Sequence, residues 1–148
     1  ETYGTLDEAN STLGFSRALS ENERTKEIIY KIQQGLFAVG AELAIDPKDY
    51  GKLKRKIQEE DVRELQELVE ELEDKVQLPR SFIIPGGSLV SASLDMARTI
   101  VRRGERRAVR LKEDNILVND QILAYLNRSA DLIFLLARYE ESLDGEVR

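Results

Sequence analysis

Arginines and carboxylates recur along one stretch of the chain at intervals that chemistry can use: Asp95, Arg98, Arg102, Arg103, Glu105, Arg106 and Arg107. If the stretch is helical, each residue turns the axis by about 100°, so Ser91, Asp95, Arg102 and Glu105 fall within roughly 60° of Arg98. One face then carries a mixed stripe of guanidinium and carboxylate groups. A second such face lies further on: taking Asn127 as reference, Asp131, Phe134 and Arg138 fall within about 40° of it. Near the start, Asp7 and Asn10 share a face three residues apart. Guanidinium is suited to phosphate, because its planar fork stays charged and donates two hydrogen bonds together. An arginine held away from water is costly unless paired, so a stripe on a buried helix must point at a ligand, a partner or a subunit interface. The plainer alternatives are a solvated face with ion pairs one turn apart, and for Asp7 a first-turn carboxylate favoured by the helix dipole.

The residue types that are missing narrow the chemistry. The 148 residues include no histidine and no cysteine, which excludes disulfides, cysteine-ligated zinc, a Ser-His-Asp triad and histidine acid–base catalysis. A metal here must be a hard ion held by oxygens and ligand phosphates, for which Mg²⁺ is the natural candidate. The formal net charge of −6 argues against general nucleic-acid binding, so the arginines form a local cluster on an acidic background. No apolar run approaches a membrane span and no signal peptide is visible; a cytoplasmic protein is expected.

These side chains need helices to position them. With 34% charged residues, 6% aromatics and no tryptophan, the composition suits one helical bundle with a real core. A first helix is expected over about residues 3–19, with Leu6, Ala9, Leu13 and Ala18 on its stripe and Thr5 with Glu8 at capping-box spacing. Ser20 with Glu23 suggests a second box, opening a core helix to about Ile45 in which Gly35 and Gly40 permit close packing. Residues 46–56 read as a surface loop. From about 59 to 76, Val62, Leu65, Val69, Leu72 and Val76 mark a helix with one narrow buried seam. Its acidic flank, including Glu67, Glu70, Glu71, Glu73 and Asp74, could hold Mg²⁺ for nucleotide hydrolysis, as in all-helical pyrophosphohydrolases, or be a solvated face.

Phe82, Ile83 and Ile84 then run extended into Pro85, Gly86 and Gly87, with Ser88 as N-cap of the central helix. Phe82 can anchor the loop or wall a pocket. The central helix also carries Leu89, Val90, Leu94, Met96, Ala97, Ile100, Val101 and Ala108, so burial is expected on most sides. After a polar break, Asn119 or Asp120 caps a last helix to about Leu143. The count is five helices, an up-down bundle with short connections.

Three separated blocks, residues 3–10 (YGTLDEAN), 82–88 (FIIPGGS) with 97–106 (ARTIVRRGER), and 125–131 (YLNRSAD) with 136–138 (LAR), resemble one family in the right order over nearly the whole chain. It is the ATP:corrinoid adenosyltransferase family of the propanediol-utilisation type, which includes the mitochondrial enzyme linked to methylmalonic aciduria. The resemblance implies a five-helix bundle assembled as a homotrimer, with each active site between two subunits. It implies transfer of the 5′-deoxyadenosyl group of ATP to cobalt, giving adenosylcobalamin and triphosphate, with Co(I) of the cobalamin substrate as nucleophile and Mg²⁺ accompanying ATP. A cob(II)alamin reductase and an adenosylcobalamin-dependent enzyme are the implied transient partners. By position, Arg102, Glu105 and Asn127 would contact ATP beside Arg98, and Asp7 of one subunit would pair with Arg98 of the next. Asp131 would order the polar face. Phe82 would occupy the lower axial face of the corrin, and Phe134 would line the same pocket. Gly104 replaces the alanine of many members, an exchange expected to loosen the helix locally. The family's Gly- and Thr-rich segment that wraps the triphosphate is not found ahead of Glu1, so residues 1–148 are expected to form one adenosyltransferase domain without it. A non-catalytic helical scaffold or cobalamin carrier remains the third reading.

Overall fold

The computed structural model describes residues 2–144, and among them every regular element is helical. The α-helices are α1 (Thr2–Leu19), α2 (Glu23–Ala44), α3 (Glu59–Lys75), α4 (Leu89–Glu113) and α5 (Gln121–Leu143). A 3₁₀ helix, Pro47–Lys52, raises the expected count by one. It forms inside the presumed loop because the Asp46 carboxylate accepts from the Lys48 amide at 3.1 Å and Pro47 presets the first turn. No helix among the described residues is long and apolar enough to cross a membrane.

Helix α4 packs between α1 and α5, α2 lies against α1 with a lesser contact to α5, and α3 covers α5. The central position of α4 follows from its apolar arc: Leu94, Ala97, Val101 and Ala108 are fully buried. Its far side corrects the expectation of near-total burial, since Leu89 and Met96 are exposed within the chain. Helix α3 keeps the narrow seam, with Leu65, Val69 and Leu72 buried.

Two helix starts also differ from expectation. Helix α1 begins before Thr5, so Thr5 is a buried residue that accepts a hydrogen bond from Arg107, while Glu8 pairs with Arg103. At α2 the cap is Asn22, whose Oδ1 accepts from the Thr25 amide at 2.9 Å; Ser20 instead donates to Glu140 at 2.8 Å. Ser88 caps α4 as expected, in a reciprocal pair with Ser91. Asp120 occupies the N-cap of α5 without a side-chain cap bond, and Asn119 just before it accepts from the Gln121 amide at 3.0 Å. Its side-chain amide also donates to Glu42 at 3.0 Å. Buried Glu42 accepts from Tyr50 Oη at 2.5 Å and the Ile57 amide at 2.6 Å as well, joining α2, the 3₁₀ helix and the entry to α3. Burial and this carboxylate push the Tyr50 phenol up to about 12.

The acidic flank of α3 is a row of partners for cations. Glu71 accepts from Arg24 at 2.5 and 2.8 Å, Glu64 pairs with Lys31 at 3.0 Å, and Glu60 and Glu67 pair with Arg63. The Arg24 hydrogen bonds lower Glu71 from 4.5 to about 2, against the opposing effect of partial burial. Because the folded value is depressed, the pair's contribution is complete above the ordinary value and is lost as pH falls from about 4.5 through about 2. Both side chains are partly solvated, so Glu71→Gln should cost less than about 1 kcal/mol at neutral pH. Urea unfolding of both forms checks this: their difference should shrink towards pH 2, and a difference independent of pH would remove the ion pair as its cause.

Candidate functional site

The turn before α4 aims its first residues. Gly86 has φ of 113°, a left-handed conformation that glycine adopts without steric cost, and Gly87 lies directly on α5. A Cβ at Gly87 would sit 2.6 Å from Glu141 Oε2, so only glycine lets the turn reach that carboxylate. Further along α4, a Cβ at Gly104 would come within 2.9 Å of Leu6 Cδ2. Beside its expected effect on helix propensity, Gly104 thus has a packing role: the missing methyl lets α1 and α4 approach closely beside the arginine stripe.

The stripe opens into a cleft of about 510 Å³ between α3, α4 and α5. Arg98 and Arg102 enter it from α4, Arg128, Asp131 and Phe134 from α5, and Val69 and Glu73 from α3. Four of the residues singled out by sequence, Arg98, Arg102, Asp131 and Phe134, thus share one space. Glu105 and Asn127 adjoin it and are joined to each other, Asn127 Nδ2 donating to Glu105 Oε2 at 3.0 Å. The other two are apart from it. Asp7 is exposed and lines a groove between α1 and α2 with Tyr3, Asn10 and Phe37. Among the described residues no pair joins it to Arg98. Phe82 stands wholly in solvent on the segment before α4.

The electrostatics separate the three cleft arginines. Arg128, which the reading of a single helical face passed over, pairs with Asp131 at 2.5 Å and donates to Asn127 Oδ1 at 3.1 Å and Gln66 Oε1 at 2.7 Å. Its adjacency to Asn127 was the available signal. Arg98 donates through Nε to Asp95 at 3.4 Å and lies 5.9 Å from the centre of the Phe134 ring. Arg102 is exposed and makes no ion pair among the described residues, leaving its fork for an anion.

Beneath the cleft lies a fourth guanidinium. Arg138 is 1% exposed, donates to Asp95 Oδ2 at 2.7 Å and to Glu141 Oε1 at 3.0 Å, and stands 4.9 Å from the Phe134 ring centre. Burial alone would push it down; the hydrogen bonds to Asp95 and Glu141 outweigh that and hold it above its ordinary value.

Among the described residues, no three acidic side chains converge as a metal site. Glu60 and Glu67 of α3 are taken by Arg63, Glu64 by Lys31 and Glu71 by Arg24, while Glu70, Glu73 and Asp74 do not converge with other acidic side chains, so the hydrolase reading lacks the metal cluster it needs among the described residues.

A helical bundle that brings an arginine fork without an ion pair among the described residues, a set of paired arginines and an aromatic ring into one cleft has the donors for an anion and a wall for an apolar ring. The family model for cobalamin adenosyltransferase matches residues 1–140. The corrinoid adenosyltransferase of Citrobacter freundii is 37% identical over 142 residues, 96% of this chain and 80% of that protein. The Bacillus subtilis corrinoid adenosyltransferase is 38% identical over 98% of this chain and 75% of its own length. Of the PduO corrinoid adenosyltransferase of Salmonella typhimurium, 36% identical, the chain spans 42% of the length. A variant of the PduO-type ATP:corrinoid adenosyltransferase from Lactobacillus reuteri, complexed with cobalamin and ATP, superposes with a TM-score of 0.87 at 32% identity, covering 97% of this chain and 80% of that one. The chain belongs to the cobalamin adenosyltransferase family.

Proposed function

We propose that this chain transfers the 5′-deoxyadenosyl group of ATP to the cobalt of a reduced corrinoid, at a site completed between the subunits of a homotrimer. The observation that carries the reading is the cleft in which Arg98, Arg102, Asp131 and Phe134 meet, in a family whose relatives bear that activity in their names. Co(I) of the corrinoid substrate gives its electron pair to C5′, the C5′–O bond breaks, and triphosphate leaves with the bonding pair. No protein nucleophile or base is required, in keeping with a chain that has no cysteine or histidine. The protein contributes position, exclusion of water and stabilisation of the departing anion.

Arg102, Glu105 and Asn127 contact ATP, and Asp131 orders that face by holding Arg128. Mg²⁺ enters on the phosphates of ATP; Glu105 and Asp131 already have partners, so no protein ligand set is assigned to it. Phe134 and Phe82 serve the corrin side, Phe82 by covering the lower axial face and favouring four-coordinate Co(II), which is easier to reduce. Exposure of the whole Phe82 ring in the single chain supports a role met only in the complex. Phe82→Ala should leave ATP affinity within about twofold while slowing reduction and transfer by about tenfold or more, an effect equivalent to about 1.4 kcal/mol or more. Isothermal titration with ATP and single-turnover adenosylation separate the two effects.

Exposed Asp7, the long 3.4 Å contact of Arg98 and the uncovered Leu89, Met96 and Phe37 support assembly through an Asp7 to Arg98 pair between subunits. Breaking a poorly solvated pair costs roughly 3–5 kcal/mol. Asp7→Arg should therefore yield monomers in sedimentation, and Asp7→Arg combined with Arg98→Asp should recover the trimer; trimeric Asp7→Arg would exclude the pair. A cytoplasmic setting, with a cob(II)alamin reductase upstream and an adenosylcobalamin-dependent enzyme downstream, fits this reading.

The direct test is anaerobic. The protein is mixed with ATP, Mg²⁺ and chemically reduced cobalamin, and the loss of Co(I) absorption is followed. Light-sensitive adenosylcobalamin with equimolar triphosphate is the expected product. Tight corrinoid binding with no triphosphate would instead mark a carrier.

A further inference from the structure

We infer that Arg138 is a positioning residue for this site, setting three of its parts from below: Arg98 through Asp95, the Phe134 ring by stacking, and the turn at residues 85–87 through Glu141. The inference rests on the adenosyltransferase reading for its catalytic consequence and on geometry alone for its structural one.

Arg138, Asp95 and Glu141 have at most 4% exposed side chains, and two carboxylates with one guanidinium leave one negative charge uncompensated. Arg98, touching Asp95 at 3.4 Å, supplies the missing positive charge. Asp95 is thus shared, but unequally: Arg138 holds Oδ2 at 2.7 Å, whereas Arg98 has only the longer contact to Oδ1. That inequality leaves Arg98 available to other partners at the cleft. Without Arg138, Asp95 would be a buried carboxylate with Arg98 as its nearest cation, and Arg98 would be drawn inward.

The second arm runs through Glu141. Its Oε1 accepts from Arg138 Nε at 3.0 Å and its Oε2 from Nη2 at 3.2 Å, which fixes the carboxylate against which Gly87 is seated. Gly87 is five residues from Phe82 in a segment without regular structure, so this seat is the nearest fixed point for the aromatic. The third arm is the ring of Phe134, one turn before Arg138 on α5 and close to both guanidiniums. One buried side chain therefore aligns the α4 arginine, the α5 aromatic and the loop, which come from three separate parts of the chain.

Variants of the full chain test this. The triple change Asp95→Leu, Arg138→Met and Glu141→Met removes the whole buried network while keeping an apolar interior, an exchange that buried ion triads tolerate. Glu141→Gln keeps shape and releases only the turn. Amide hydrogen exchange at residues 83–88, which needs no activity, should quicken by about tenfold in either variant relative to α1 and α2. Adenosylation should fall on the order of 10- to 100-fold in kcat, with ATP KM changing less and the four-coordinate Co(II) signal diminished. Unchanged exchange and unchanged kcat in a folded triple variant would show the network to be merely structural and overturn the inference. Should the triple variant not fold, unchanged exchange and kcat in Glu141→Gln overturn the arm through the turn, and unchanged kcat in Arg138→Lys, which keeps the charge but loses the fork, overturns the arms through Asp95 and Phe134. If the unaltered chain makes no adenosylcobalamin, the functional reading fails by itself and the exchange measurement still decides the positioning role.

Discussion

Arg102→Ala is expected to lower adenosyl transfer by a factor of about 10²–10³, the usual cost of removing one donor from the site of developing negative charge. Arg98 and Arg128 share the cleft but each has a carboxylate, at 3.4 and 2.5 Å, so their charge is partly spent within the chain. Arg102 alone of the three brings an uncommitted fork. The same freedom makes the substitution harmless to the fold: an exposed residue with no ion pair among the described residues should change stability by no more than about 0.5 kcal/mol. A large kinetic loss with an unchanged melting temperature is therefore the specific signature. Arg102→Lys should recover only part of the loss, because a point charge cannot present two parallel donors. Steady-state kinetics over ATP concentration, with thermal unfolding of the same samples, measures both. Undiminished turnover by Arg102→Ala would remove this arginine from the site.

That arginine was visible in the sequence because the geometry needed to find it is local. Positions 98 and 102 are four apart, so any helix brings them to one face, and Phe134 and Asp131 share a face with Asn127 for the same reason. The helices themselves are nearly as local: the seam of Leu65, Val69 and Leu72 on α3 is set by its spacing. Pairings between helices are another matter. Asp95 lies 43 residues from Arg138, and nothing in the spacing of either says that the two meet at 2.7 Å. Arg128 escaped because it lies off the stripe and reaches the cleft by the length of its side chain. Asn22 displaced Ser20 as a cap because Ser20 had a tertiary partner in Glu140. For Arg138 and Ser20 the role was fixed by a neighbour distant in sequence.

The exposed residues of α4 illustrate a different limit. Leu89 and Met96 belong to the apolar pattern of a buried helix, yet they are 78% and 61% exposed in the single chain. Hydropathy records that a surface avoids water but not which molecule covers it. The exposure of Phe82 and the separation of Asp7 from Arg98 are of the same kind. All of them become intelligible in a site assembled from more than one chain, so the proposed catalytic role of Phe82 depends on the proposed trimer although the two are tested separately.

Gly35→Ala is expected to meet the closest overlap of any glycine-to-alanine change among the described residues and to destabilise the fold. The sequence shows Gly35 within a helix, where glycine is weaker than alanine by about 1 kcal/mol, so propensity alone predicts stabilisation. Tertiary packing predicts the reverse. A Cβ at Gly35 would lie 1.6 Å from Tyr125 Oη and 2.2 Å from its Cζ, deep overlap with the end of a ring that is only 3% exposed. Burial already pushes the Tyr125 phenol up, so moving it means opening the contact between α2 and α5 in a place without solvent. Overpacking of this kind costs typically 1–3 kcal/mol and sometimes more, and taking about 3 kcal/mol against the propensity gain leaves a net loss of about 2 kcal/mol. For a chain of this size that is a fall of roughly 4–8 °C in melting temperature. Gly4→Ala is the matching control, since nothing lies within 4 Å of its added methyl and the helix should gain about 0.5 kcal/mol. The two substitutions make the same chemical change in two helices, so opposite shifts in calorimetry would isolate the Tyr125 contact as the cause. If both stabilise, the ring yields more easily than its burial implies, and Gly35 is not what allows α2 to approach α5.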